Sequence, residues 1–107
     1  MGDPVMFKQA WYENSLQCPL CEGGNLHHTK VTVFNRVPDD GRVRVSVVGD
    51  LVVVKETDSL GSGNPSGRRD GLRISFWCET CDEGTKIPDL CIVQHKGTTY
   101  IYWDEEP

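Results

Sequence analysis

Apolar and polar residues alternate with a period of two over much of the chain beyond residue 29, the pattern of half-buried β-strands. The stretch RVRVSVV at 42–48 is the clearest case, because valine occupies every second position from Val43 to Val47. The same alternation predicts strands at 29–37, 72–77, 90–95 and 98–103. We therefore predict a mainly β fold built on an antiparallel sheet.

Short turn signals separate these predicted strands. The residues PDDG at 38–41 favour a tight turn, Gly49-Asp50 a hairpin reversal, and Lys96-Gly97 the turn of a final hairpin. The run LVVVK at 51–55 follows the second of these turns and is apolar on both faces. Since a strand covered on both faces reads as a continuous apolar run, we predict that 51–55 is a central strand.

Two segments do not follow the strand pattern. Residues 57–71 are rich in glycine and serine and predict a long loop that is either functional or mobile. Near the N-terminus, Asp3 could cap a short helix that has Pro4 in its first turn. An extended N-terminal arm packed by its aromatic side chains accounts for the same residues, so both alternatives stay open.

The length and charge of the chain limit its organisation. At 107 residues it fits one domain, 1–107, and with 37% hydrophobic residues it is expected to need a staple such as a metal ion or disulfides. The formal net charge of −5 argues against a protein that coats nucleic acid by bulk charge. No secretion signal or membrane-spanning run is visible, so we expect a cytoplasmic protein without membrane contact.

Four of the five cysteines form two Cys-x-x-Cys pairs, Cys18 with Cys21 and Cys78 with Cys81. In a reducing compartment this pattern indicates metal binding rather than disulfides. Two residues between cysteines let both sulfurs reach one ion, and four thiolates make a closed tetrahedral zinc site without an open position for a substrate. The predicted cofactor is one structural Zn²⁺ ion. The closed site and the lack of a recognisable catalytic motif indicate that the protein is not an enzyme.

The two pairs resemble the knuckles of the zinc-ribbon family, in which two Cys-x-x-Cys turns on β-hairpins clamp one zinc ion. The match covers the four cysteines and Pro19, but the pairs lie farther apart than the roughly 15–20 residues of the compact pattern. The runs NPSGRRDGLRISFWCETC and IVQHKGTTYIYW also resemble small, mostly uncharacterised zinc-ribbon-like proteins of actinobacteria and their phages. This second resemblance implies the cytoplasm of a bacterium or a phage-infected cell, and it implies no activity.

Other residues with metal or redox chemistry give less specific signals. Redox chemistry at a Cys-x-x-Cys pair would require a helix starting at the first cysteine, whereas glycines and strand-forming residues follow the first pair. His27 or His28 could replace a cysteine as a ligand, but adjacent strand residues point to opposite faces, so at most one could do so. Cys91 and His95 would lie about 13 Å apart along a strand. That separation is too long for a Cys–His nucleophile, so we predict that Cys91 is a buried structural residue.

Cationic residues near the second pair form the best surface candidate for an anion or a partner: Arg68, Arg69, Arg73, Lys86 and Lys96. A turn at Asp70-Gly71 that happens to be basic accounts for the arginines equally well. Nucleic acid bound by these residues should be held weakly and locally, because the remaining surface is acidic.

The leading functional prediction is a non-enzymatic zinc-ribbon module that acts as an adaptor by contacting another protein. Its recognition surface would include the 57–71 loop and the arginines. One alternative is a weak nucleic-acid-binding zinc ribbon that uses the cationic residues. Another is a structural component of a phage particle or larger assembly.

Overall fold

The computed structural model describes residues 5–9, 14–37, 41–66 and 69–104. These residues contain strands and no helix, which confirms the predicted mainly β fold. The predicted N-terminal helix is not seen, because residues 7–9 form a strand; Asp3 and Pro4 lie outside the described residues. The strands are β1 (Phe7–Gln9), β2 (Asn14–Leu16), β3 (Leu26–Val37), β4 (Arg42–Val48), β5 (Val52–Asp58), β6 (Gly71–Cys78), β7 (Asp89–His95) and β8 (Thr98–Asp104).

Six of these strands form one antiparallel sheet in the order β5-β4-β3-β6-β7-β8, and β1 pairs with β2 in a separate hairpin. Most neighbours in the large sheet are also neighbours in sequence, and β3 with β6 is the long-range pair that joins the two halves. The predicted Lys96-Gly97 turn links β7 to β8. Both residues have positive φ, 50° and 81°, as a two-residue hairpin turn of this hand requires.

The structure corrects the predicted position of the 51–55 run, because β5 is an edge strand. Leu51, Val52, Val53 and Val54 are 77%, 68%, 53% and 57% exposed. β4 pairs with β5 on one side and with β3 on the other, and β6 occupies the second side of β3. An apolar run therefore identified a strand correctly, but the pairing of β3 with β6 decided which strand became central.

The two faces of the sheet have separate apolar clusters. On one face, Phe34 is 2% exposed and packs with Val43 and Val45. On the other face, the rings of Phe76 and Trp103 meet edge to face with their centres 5.8 Å apart, and Trp103 is 2% exposed. Both clusters arise from the period-two alternation, which sends successive side chains to opposite faces.

The loop between β5 and β6 is anchored on the sheet rather than extended into solvent. The Asn64 side chain forms two hydrogen bonds within the loop. It accepts one from the Ser66 N–H (3.0 Å) and donates one to the Arg69 carbonyl (2.8 Å). The Ser66 hydroxyl in turn accepts the backbone N–H of Gln94 on β7 (3.2 Å). These contacts connect residues 64–66 to the start of β6 and to β7.

Gly71 marks the contact between this loop and the first residue of β6. A Cβ at this position would collide with the side-chain oxygens of Asn64 and Ser66. We expect Gly71→Ala to lower the free energy of unfolding by about 1–3 kcal/mol, the usual cost of overpacking, measured by urea denaturation.

Val52→Ala serves as the control, because Val52 is 68% exposed and should change stability by less than about 0.5 kcal/mol. An alanine usually stabilises a strand relative to glycine by roughly 0.5–1 kcal/mol. A Gly71→Ala protein as stable as the wild type or more stable would therefore contradict the loop contact.

Candidate metal centre

The four cysteines of the two Cys-x-x-Cys pairs converge at one end of the sheet. Their sulfur atoms all lie within 4.8 Å of one another. The Sγ atoms of Cys18 and Cys81 are 3.7 Å apart, and those of Cys21 and Cys78 are 3.6 Å apart. Four sulfurs at 2.3 Å from a tetrahedral ion would be about 3.8 Å from one another. The cluster can therefore hold one metal ion with little change in side-chain position.

The first knuckle follows the β1–β2 hairpin and is closed by backbone hydrogen bonds. The N–H of Cys18 donates to the Gly23 carbonyl, and the N–H of Glu22 donates to the Cys18 carbonyl, both at 2.8 Å. Glu22 adopts a left-handed φ of 62°, which turns the chain back toward the sheet. The Leu20 N–H points at the Cys18 sulfur from 3.5 Å, as backbone donors do around a thiolate ligand.

The second knuckle begins at the last residue of β6. Cys78 is opposite Leu26 in the β3–β6 pair, and the Glu79 N–H continues the link to β3 by donating to the Asn25 carbonyl (3.1 Å). Ile87, 5% exposed, packs against Cys18 and Cys78. The partly buried residues Leu26, Phe76 and Cys81 complete this cluster. The strand and its apolar neighbours thus fix two sulfurs, while Cys21 is exposed at the surface.

Thr80 is a functional residue that the sequence reasoning missed. Its hydroxyl lies 3.0 Å from the sulfur of Cys21 and 3.3 Å from that of Cys78. This hydrogen bond is the main reason that the pKa of Cys78 falls to about 6 and that the pKa of Cys21 is lowered. A threonine between the cysteines of the second pair was the available signal, but spacing alone does not show that its hydroxyl reaches both knuckles.

The pKa values of the other two thiols, Cys18 and Cys81, are raised. Burial raises the pKa of Cys18 and of Cys81, and the neighbouring sulfurs raise that of Cys81 further. Four thiolates cannot share so small a space without a cation, because each adds to the repulsion on the others. Metal binding would therefore release protons from the cluster and should weaken as the pH falls.

The histidines and the fifth cysteine lie outside this cluster. Among the described residues, the group that could hold a metal consists of the four cysteines alone. The ring of His27 stacks on Trp77 with centroids 4.5 Å apart, and its Nε2 is 3.2 Å from the Glu79 carboxylate. Cys91 is fully buried on β7, and burial raises the pKa of its thiol to about 11, which suits a structural residue.

The predicted cationic residues are not brought together as one patch. Arg73 is held by two carboxylates: its guanidinium is 2.7 Å from Asp104 and 3.5 Å from Asp89. Arg69 precedes β6 and Lys96 follows β7, so both lie at the end of the sheet far from the cysteines. Lys86 lies on the metal side, before β7, and Arg68 is outside the described residues.

The predicted turn at Asp70-Gly71 is replaced by the start of β6. The Asp70 side chain accepts a hydrogen bond from the Arg36 N–H at 2.8 Å.

Comparison with known proteins assigns neither a family nor a function to this chain. No protein-family model matches this chain, and neither does any curated protein or solved structure. The suggested likeness to actinobacterial and phage proteins is therefore not supported, and the zinc-ribbon-like character depends on the four cysteines. No helix among the described residues is long and apolar enough to span a membrane.

Removing the Thr80 hydroxyl should weaken metal binding while leaving the four sulfurs in place. We expect Thr80→Val to reduce the affinity for Co²⁺ by about 10–100-fold, as is typical when a hydrogen bond to a metal ligand is lost. The measurement is a Co²⁺ titration followed by thiolate-to-cobalt absorption, in competition with a chelator.

Thr80→Ser is the matched control, because it keeps the hydroxyl and should bind Co²⁺ nearly as well as the wild type. Equal affinity for the valine and serine variants would show that the hydroxyl contacts do not stabilise the thiolates.

Proposed function

We propose that this chain is a non-enzymatic binding module stabilised by one structural zinc ion, which binds an extended segment of another protein along β5. The exposed apolar edge strand β5 is the observation that supports binding of a partner protein. The four-cysteine cluster supports the structural zinc ion. Thiolate ligands persist in a reducing compartment, which supports a cytoplasmic location.

Zinc is the metal that suits this ligand set best. A tetrahedral set of four sulfurs is typical of zinc or of iron–sulfur chemistry, and the close S–S separations of 3.6 and 3.7 Å suit a single ion. All four positions would be filled by protein thiolates, so the ion would have no open position for a substrate. Its role would be to join the two knuckles and hold the β1–β2 hairpin against the sheet.

The zinc assignment predicts one Zn²⁺ per chain and a fold that depends on it. Because the apolar clusters are small, we expect a chelator to unfold the protein, and a Cys18→Ser variant to lose both zinc and structure. Metal content by mass spectrometry and far-ultraviolet circular dichroism provide the measurements.

Cys91→Ala is the control, because Cys91 lies outside the cluster and this variant should retain one zinc ion. A protein that stays folded without metal, or that contains iron with visible absorption, would contradict the assignment.

The β5 edge has the features of a strand-addition site. One side of β5 pairs with β4, and no described strand pairs with the other side. Val53 is 53% exposed, and Val52 and Val54 alternate with it on the opposite face. Natural sheets usually protect such edges with charges or proline. The charged residues of β5, Lys55, Glu56 and Asp58, lie in its second half, so residues 52–54 are left without this protection. Strand addition by a partner would cover it and satisfy its free backbone groups.

Charge favours a partner other than a second copy of this chain. The net charge of −5 on each copy would oppose self-pairing. Asp50 precedes the apolar run, and Lys55, Glu56 and Asp58 follow it, all of them exposed, so the flanking residues carry a formal net charge of −2. The occupant that fits is therefore an extended apolar segment flanked by lysine or arginine.

A synthetic peptide tests this surface directly. The probe is a fluorescein-labelled peptide of alternating valine and threonine flanked by arginines, titrated with the zinc-loaded chain. We expect Val53→Lys to weaken binding by about tenfold or more, because a charge would replace the central residue of the apolar segment 52–54. Fluorescence anisotropy gives the dissociation constant.

Ile101→Lys on β8 is the matched control, because β8 is the other edge strand and Ile101 is 46% exposed. Binding retained by this variant and lost in Val53→Lys would support the β5 site. Absence of binding, or equal loss in both variants, would overturn it. A wild-type dimer that Val53→Lys converts to a monomer in sedimentation would assign the edge to a second copy instead.

A further inference from the structure

A polar groove lies on the sheet face that carries Arg73, beside the metal centre and separate from β5. It is open to solvent and has a volume of about 480 Å³ between β3, β6 and the segment leading to β7. Its walls carry two lysines, Lys30 and Lys86, and the hydroxyl groups of Thr32, Ser75 and Thr85. Pockets of this size hold small organic ligands.

The positive charge in this groove is only partly compensated. Arg73 and Asp89 both line it, but Arg73 is paired with Asp104 (2.7 Å) as well as with Asp89 (3.5 Å), and the second oxygen of Asp89 accepts the Ser75 hydroxyl at 3.0 Å. These three charged groups together carry one negative charge, against the two positive charges of Lys30 and Lys86. Lys30 and Lys86 are exposed, and neither forms an ion pair with the residues that the structure describes. Two ammonium groups without an ion pair among the described residues therefore line the same groove as the hydroxyl groups of Thr32 and Thr85, a composition that suits an anion such as phosphate.

An aromatic platform lies next to the lysines on the same face of the sheet. In the β3–β6 register, Lys30 is opposite Ser75 and His27 is opposite Trp77. A bulge between His28 and Lys30 brings His27 to the same face as Lys30, which its stacking on Trp77 confirms (4.5 Å, 11°). Trp77 is nevertheless 48% exposed. It lies two residues, about 7 Å, along β6 from Ser75, a separation comparable to that between a base and its phosphate in a nucleotide.

We propose that this face binds a nucleotide unit, either free or within a single-stranded nucleic acid. Lys30 and Lys86 contact the phosphate, and the base extends the aromatic stack of His27 and Trp77. Stacking on an aromatic side chain accepts any base, so the site discriminates little by sequence. This activity goes beyond the proposed partner binding at β5 and depends on neither its occupant nor its test.

The surface differs from the cationic patch that the sequence indicates. Arg69 and Lys96 lie at the opposite end of the sheet, and Arg73 is occupied by Asp89 and Asp104. Lys86 belongs to both sets, whereas Lys30 was not among the predicted residues. Variants of Lys30 and Lys96 therefore separate the two surfaces.

Binding at this site should be weak and sensitive to salt. Two phosphate contacts in a single strand give a slope of about −1.4 in log affinity against log salt, so a fourfold rise in salt should weaken binding roughly sevenfold. The acidic remainder of the chain lowers the affinity further.

The test uses the full metal-loaded chain and fluorescence anisotropy at low salt with a fluorescein-labelled deoxythymidine decamer. Competition by uridine monophosphate and by inorganic phosphate distinguishes the ligand sources. We expect the double variant Lys30→Gln, Lys86→Gln to weaken decamer binding by about tenfold or more, and Lys96→Gln to change it less than about twofold. Trp77→Leu should weaken competition by uridine monophosphate but not by inorganic phosphate, provided that it retains its metal.

Each outcome decides the proposal. Competition by uridine monophosphate alone supports a free nucleotide, and cooperative binding of the decamer with weak competition supports a single strand. Equal competition by uridine monophosphate and inorganic phosphate, unchanged by Trp77→Leu, would show an anion site without base stacking and would overturn the proposal. The absence of decamer binding at low salt would also overturn the proposal. A loss of decamer affinity in Lys96→Gln equal to that in the lysine double variant would do the same.

Discussion

The antiparallel pairing of β3 with β6 joins the two halves of the large sheet and brings the two knuckles together. It is the one long-range pair in the large sheet, since the other neighbours are linked by hairpins or by the segment between β6 and β7. The register places Leu26 opposite Cys78, which brings the end of β6 to the chain that leaves the first knuckle. Four sulfurs then lie within 4.8 Å, and a metal ion there would cross-link residues far apart in sequence. The entropy lost on closing so long a loop grows only logarithmically with its length, so an insertion between the knuckles is tolerable.

The same register determines the surfaces on either side of β3. Toward one edge, β4 and β5 follow β3 in a meander, and this order leaves the apolar run of β5 without a partner strand. Toward the other, β6 places Ser75 and Trp77 opposite Lys30 and His27. A shift of one residue would send these side chains to the opposite face and separate the lysines from the aromatic rings. The two proposed binding surfaces thus follow from one pairing, although they lie on different parts of the sheet.

Arg73 shows why charge clusters in a sequence are uncertain guides to a binding surface. Next to Arg68 and Arg69 it suggests a cationic patch, but on β6 it is adjacent to β7 and its guanidinium reaches Asp89 and Asp104. Its Nε also donates to the Gly63 carbonyl at 2.8 Å, so the residue anchors the long loop. An arginine with these partners has little capacity left for a ligand. The carboxylates come from residues distant in sequence, and no local pattern could have identified them.

The mainly β fold, most of the strands, the final hairpin and the four-cysteine site could be predicted from the amino-acid sequence. Period-two alternation, turn residues and Cys-x-x-Cys spacing act within a few residues, so they can be read locally. Three features depend on the three-dimensional arrangement: the 51–55 run lies at an edge, the Thr80 hydroxyl is within hydrogen-bonding distance of a sulfur in each knuckle, and Lys30 shares a groove with Lys86. Each of these depends on which strands pair and in which register. That choice is made by the packing of residues distant along the chain, which composition and periodicity do not report.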